Sequence, residues 1–351
     1  MDRRTFLRST AVAAAGAHLT PTPVTAGLVA TGADALPSGP HGPIDPRALI
    51  MDAMGELRTI YEPPLVREML ASGIDSITVT LCDPKAVGAE ALELAVDGLL
   101  EYDRYLAEHP DLFVKATSIA QIDEARRSGR MAVFYLYQNA TQFDDDLTRV
   151  DMFHSLGLTS CQVTYNERNL AGVGCRAAGD GGGLTEFGRE MVDHMNGIGM
   201  PVIISHTGCD AVHPHERNTS DANLRALADR GGVVGVCQLR PFLTLKKQDN
   251  LHAYFDHLDH AVQVCGIENV CIGSDRDHRV IEMTPEYEAE LRREEGSQVT
   301  SSELPYFIDE LNGPRRMEVV WDGLVERGYF EQDVERVMGR NLYRLYAEVI
   351  G

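Results

Sequence analysis

The stretch PVIISHTGCDAVHPHERN, residues 201–218, opens as an apolar strand-type run and breaks into three histidines (His206, His213, His215) with Cys209, Asp210, Glu216 and Arg217 among them. Imidazole and carboxylate groups this close together can ligate a divalent cation, and a forked guanidinium can bind a carboxylate through two parallel hydrogen bonds. Four further polar residues close or follow apolar runs: Glu56, Gln138, Tyr165 and Asp275. A carboxylate such as Asp275 can pass a proton and a phenol such as Tyr165 can donate a hydrogen bond. Each has a plain alternative. His206 can cap a strand, Arg217 can salt-bridge a neighbouring acid, Glu56 and Asp275 can be satisfied structural carboxylates, and His213 and His215 can be solvated loop residues.

The elements that must position these groups are legible as alternating patterns. Short, β-branched, nearly continuously apolar runs lie at 48–54, 76–82, 131–138, 159–165, 201–206, 232–239 and 269–275. Stretches of helical period lie between them, among them 88–107, 186–197, 219–230 and 251–265. Strands buried on both faces and separated by helices indicate a parallel α/β sheet. Polar residues gathered at the C-terminal ends of such strands indicate the active rim of a TIM-type (β/α) barrel. Residues 36–351 read as one such domain, with 280–315 as a long polar surface loop or lid.

The blocks GLTSCQVTYNERNLAGVGC, GGGLTEFGREMVDHMNGIGM, the 201–236 segment, CIGSDRDH and LVERGYFEQDVERVMGRNLYRLY occur in the order seen in membrane (renal-type) dipeptidases, which the chain resembles from about residue 48 to 348. The resemblance implies a TIM barrel with a two-zinc site that hydrolyses dipeptides and related small amides, and it suggests a homodimer. It carries over unevenly. Met54 and Glu56 stand where the family has a zinc-ligating His-x-Asp pair, Gln138 where a glutamate bridges both metals, and Tyr165 where a histidine lies near the scissile carbonyl. A thioether is a poor zinc ligand, and a neutral amide cannot offset the repulsion of two dications. The family has two consecutive strands each ending in a histidine ligand, whereas here MNGIGM runs straight into PVIISH. A parallel crossover needs about a dozen residues, so one βα unit is missing, and His206 matches the second histidine. Arg217 falls where the family clamps the substrate carboxylate, and Asp275 where it holds the amine and passes a proton to the leaving nitrogen.

Composition limits the partners. A formal charge of -21 repels phosphate backbones, which excludes nucleic acid, and no apolar run beyond the leader is long enough to span a bilayer. Residues 1–35 carry Arg3-Arg4, then Phe6-Leu7 and an Ala-rich run, which reads as a twin-arginine export signal and places the mature protein in the periplasm or outside the cell. The seven cysteines lie mostly in apolar runs and read as inert core thiols. The expectation is an exported hydrolase of dipeptides or related small amides. Asp275 and Tyr165 would be catalytic, Arg217 would bind the carboxylate, and one zinc or none would be held by His206, Glu56 and the Gln138 position. The rival expectation is a metal-free descendant that binds an amino-acid-like ligand or does acid/base chemistry on it.

Overall fold

The computed structural model describes residues 44–351 apart from 46, 181, 202 and 296–298. The export-signal reading of 1–35 lies outside the described residues.

The elements follow in the order β1 Ile50–Asp52, α1 Pro63–Ala71, β2 Ile74–Thr80, α2 Gly88–Glu108, β3 Phe113–Lys115, α3 Ile119–Ser128, β4 Met131–Tyr137, α4 Thr148–Ser155 and β5 Leu158–Cys161. Then come α5 Glu186–Gly197, β6 Ile203–Thr207, α6 Asp221–Ala228, β7 Val233–Val236, α7 Arg240–Leu243, α8 Leu251–Cys265, β8 Val270–Ile272, α9 Pro285–Glu295, α10 Arg316–Glu326, α11 Glu331–Glu335 and α12 Asn341–Val349. All strand pairings are parallel and follow the path β6–β7–β8–β1–β2–β4. The far edge of β4 is shared by β3, opposite Met131–Val133, and β5, opposite Tyr135–Tyr137. This is a TIM-type α/β barrel with a break. Among the described residues β5 and β6 do not pair, and the break lies where the sequence lacks a βα unit. The short strand β3 is an addition that the residue pattern did not announce.

Alternation along the strands divides the core in two. Ile50, Val133, Tyr135, Val270 and Ile272 face the surrounding helices, whereas Met51, Ala132, Phe134, Val233 and Cys271 turn the other way and meet Leu342, Leu345 and Tyr346 of α12. Tyr346 lies 4.9 Å from the Phe134 ring, and its hydroxyl is 3.2 Å from Thr78 Oγ1, so the last helix closes one side of the strands with an aromatic plug. Near the break, β6 leans on its neighbours. A Cβ on Gly235 would stand 2.1 Å from the Ser205 carbonyl oxygen and one on Gly273 1.9 Å from it, so only glycines on β7 and after β8 admit this approach.

Segment 280–315 is not a loose loop. It forms α9 and a satellite core of Leu291, Val299, Leu304 and Tyr306 packed against Leu239 beyond β7. Arg240, fully buried, donates to the carbonyls of Pro305 at 2.7 Å and Ser302 at 2.9 Å, and also to those of Thr244 and Lys246. A guanidinium wrapped in backbone acceptors fixes the segment against the rim.

Candidate functional site

Because every strand is parallel, the polar residues at their C-terminal ends come to one side of the sheet. Tyr165 and Asn166 follow β5, where Tyr165 and Asn166 carbonyls accept from the Cys175 and Arg176 amides at 3.3 and 2.9 Å. Arg217 lies ten residues beyond the end of β6, in a loop closed by Asn218, whose side chain accepts from the Gly208 amide at 3.0 Å and donates to the carbonyls of His213 and Phe242 at 2.7 Å each. This loop brings the guanidinium over the Tyr165 ring at 4.8 Å and the Phe242 ring at 5.3 Å. Arg217 Nη1 donates to Asn166 Oδ1 at 2.6 Å. Burial alone would depress its pKa, but Tyr165, Cys175 and Asp275 outweigh that and keep it firmly charged. Among the described residues no carboxylate lies at ion-pair distance from it, and neighbouring Glu216 pairs instead with Arg176 at 3.0 Å. Two ring faces, the Asn166 amide and the Tyr165 hydroxyl orient the fork, whose planar charge suits an anion.

His206, on β6, has its Nε2 3.8 Å from Asp275 Oδ2 and its Nδ1 3.0 Å from Ser205 Oγ. Burial and the charge of Arg217 push its pKa down to about 3, so the ring is neutral around pH 7. Asp275 occupies the left-handed region at φ 52°, and its amide donates to the Met54 carbonyl at 2.7 Å. Aspartate is among the few side chains that adopt this conformation readily, and here it turns the chain back over the barrel end. Beneath it, Asp52 accepts from the Ser274 amide at 2.9 Å and from Ser274 Oγ at 2.5 Å. These bonds tie the ends of β1 and β8 together, and Arg316 holds the chain after β8 by donating to Ser274 Oγ at 3.2 Å and reaching His278 Nε2 at 2.8 Å.

Tyr165, His206 and Arg217 therefore line one cavity of about 560 Å³, with Asp275 beside them. Glu56 is directed elsewhere. Its Oε2 accepts from Arg58 Nε at 2.7 Å, and the same nitrogen is 3.2 Å from Asp277, which also takes a fork from Arg279. Although burial pushes Asp277 up, these two arginines hold it below the usual carboxylate range. Gln138 is buried at the end of β4 on the same side of the sheet. His213 and His215 stay in their loop, where His215 Nδ1 accepts from the Arg217 amide at 3.1 Å and its ring packs 4.7 Å from Phe242.

The donor set does not fit a two-zinc centre. Among the described residues no three His, Cys, Asp or Glu side chains are grouped to hold an ion, and Glu56, after the first strand, is paired with an arginine. Sequence reasoning missed Asn166 and Phe242, which orient Arg217. Asn166 directly follows Tyr165 in TYNERN and could have been flagged by that adjacency, whereas Phe242, beyond β7, left no signal.

Comparison with known proteins places these features in a family. The sequence profile of membrane dipeptidases, peptidase family M19, matches residues 65–200 and 200–286. An uncharacterized dipeptidase of Schizosaccharomyces pombe is 29% identical over 178 residues, which is 43% of this chain and 43% of that protein, so the match spans less than half of the relative. The fold is similar to that of an amidohydrolase from Pseudomonas aeruginosa (24% identity, TM-score 0.76, covering 87% of this chain and 98% of that one). It is also similar to a metallopeptidase from Rhodobacter sphaeroides liganded with a phosphinate mimic of the dipeptide L-Ala-D-Ala (16% identity, TM-score 0.71, covering 87% and 99%). A profile that spans well over half of the sequence, on a barrel whose rim carries Tyr165, His206, Arg217 and Asp275, establishes that this chain belongs to the membrane dipeptidase family of hydrolases, peptidase family M19.

Proposed function

We propose that the protein acts on a dipeptide or related small amide with a free α-carboxylate and a free amine. The observation that carries this reading is Arg217, a half-buried guanidinium packed on the Tyr165 and Phe242 rings and held by Asn166, with no carboxylate at ion-pair distance among the described residues. Burying such a cation is costly unless an anion joins it, and a ligand carboxylate meets that need. In this arrangement Arg217 fixes the carboxylate end, the Tyr165 hydroxyl donates to the amide oxygen, and Asp275 holds the amine and passes a proton to the leaving nitrogen. His206 lies between Asp275 and Arg217 as a neutral, weakly basic ring. Zinc enters the proposal as one ion per chain or none. The export signal of residues 1–35 makes a periplasmic or extracellular site of action part of it.

The Glu56–Arg58 pair favours a second reading, in which the chain binds the ligand or does acid/base chemistry on it without a metal. Two measurements on the purified full chain test the first reading and separate it from the second. Calorimetry with dipeptides and their end-blocked forms should show that blocking the carboxylate weakens binding to the wild type, and that Arg217→Ala removes this discrimination at a loss of about tenfold or more. Asp275→Asn should likewise erase discrimination by the free amine. Equal affinity for free and blocked ligands in the wild type would overturn the proposal. Elemental analysis beside a hydrolysis assay should find at most one zinc per chain; hydrolysis lost on chelation supports the first reading, and ligand binding without metal or turnover supports the second.

A further inference from the structure

β5 and β6 stand at the two open ends of the hydrogen-bonded path, and the cavity of about 560 Å³ fills the interval between them. Its lining includes Ser160 and Cys161 at the end of β5, residues 162–165 that follow it, and all five residues of β6, Ile203–Thr207. Neighbouring side chains in a strand point to opposite faces, so a cavity opening on a face meets every second residue. One that meets every residue runs along the strand's edge. The slot is thus bordered by the edge of β6 and the end of β5, each hydrogen-bonded, among the described residues, to the sheet on its other side only, and such edges are templates for an added strand. Leu136 and the apolar side chains Val192, Met195 and Met200 line it as well. At the C-terminal ends of both strands it opens onto Tyr165, His206 and Arg217.

We propose that this slot binds the C-terminal segment of an extended peptide as a substitute strand, parallel to β5 and β6, with its terminal carboxylate on Arg217. Polarity decides the direction. A strand parallel to its neighbours ends where they end, which is where the Arg217 guanidinium lies, whereas an antiparallel strand would bring an ammonium group to it. Length decides the class. Five residues of β6 at roughly 3.3 Å each outrun a single side chain, so the occupant is a tripeptide or longer. Chemistry decides against an alkyl chain, which would leave both edges facing hydrocarbon with their amides and carbonyls unpaired. Val192 and Met195 favour apolar side chains at alternate ligand positions. The inference rests on Arg217 as the carboxylate site of the proposed function, and it adds a ligand that competes there with dipeptides.

The test is calorimetry on the wild-type full chain with N-acetylated apolar peptides of one, two and four residues, each as the free acid and the C-terminal amide. A four-residue acid with N-methylated backbone amides completes the panel. Affinity of the acids should rise by about tenfold or more from one residue to four. Amidation should weaken the four-residue ligand comparably, and N-methylation should remove the gain with length. Met195→Trp, which fills the slot, should abolish the length dependence and leave dipeptide binding intact; if that variant does not fold, the N-methylated ligand gives the same readout on the native protein. Affinity independent of length, or a four-residue amide binding as tightly as the acid, would overturn the slot proposal while leaving the dipeptide reading in place. Failure of every free acid, dipeptides included, would remove both.

Discussion

The role proposed for Arg217 rests on its surroundings and not on its residue type alone. Its sequence position suggested a carboxylate clamp or an ordinary surface salt bridge; in the structure it packs on two rings and, among the described residues, has no carboxylate at ion-pair distance, the setting on which the proposed clamp rests. The planar fork matters as much as the charge, since an ammonium can neither stack on Tyr165 nor make two parallel bonds. Arg217→Lys should therefore recover less than about a tenth of the affinity that Arg217→Ala loses, measured with the same free-acid ligands. Asn166→Ala removes the hydrogen bond that sets the fork's rotation. A hydrogen bond to a charged group contributes roughly 1.5–3 kcal/mol, so this variant should weaken free-acid ligands by about tenfold or more and leave amidated ones unchanged. An equal loss for both ligand types would mean that Asn166 serves the fold and not the clamp.

Among the elements, β6 departs most from a regular barrel. Its pairing with β7 is irregular between Ile204 and Thr207, and the Ser205 carbonyl lies against Gly235 and Gly273. A methyl group at either glycine would push on backbone and not on a side chain that can rotate away. Gly235→Ala and Gly273→Ala should each destabilise the protein by about 1–3 kcal/mol or more, seen as a lower denaturant midpoint with unchanged slope. A change within about 0.5 kcal/mol, the range of neutral surface substitutions, would show that β6 does not hold this position. The other element that departs from expectation is segment 280–315, expected as a long surface loop or lid, where α9 and a satellite core pack against Leu239 and Arg240 donates to the Ser302 and Pro305 carbonyls.

For the molecule as a whole, buried histidines set the response to acid. His206, His257 and His278 are all pushed down by burial, His206 to about 3 and His257 to about 4. Below their unfolded value near 6.5 the unfolded chain binds protons that the folded chain does not, so stability falls as pH drops through that value. Asp52 and Asp75 are pushed up by burial, Asp75 to about 6, and they act with the opposite sign, because the folded chain holds their protons above pH 3.8. Around the histidine value the three imidazoles outweigh the two acids. The unfolding temperature should therefore be lower at pH 5.5 than at pH 7.5, and a rise would show that the histidines are solvated. Sequence alone determined most of the architecture, because strands buried on both faces and helices between them leave periodicities readable residue by residue. The long helices 186–197 and 251–265 carry the same limits in sequence and structure. The motif residues Tyr165, His206, Arg217 and Asp275 were legible because local wording carries them, and so was the missing βα unit, since a crossover needs chain length that is not there. Only the tertiary structure decided their partners. Glu56, expected as an oxygen ligand, has Arg58, two residues away, as its partner, and Phe242 joins the guanidinium from beyond another strand. Burial and charge compensation depend on which side chains meet across the barrel, and no period along the chain encodes that.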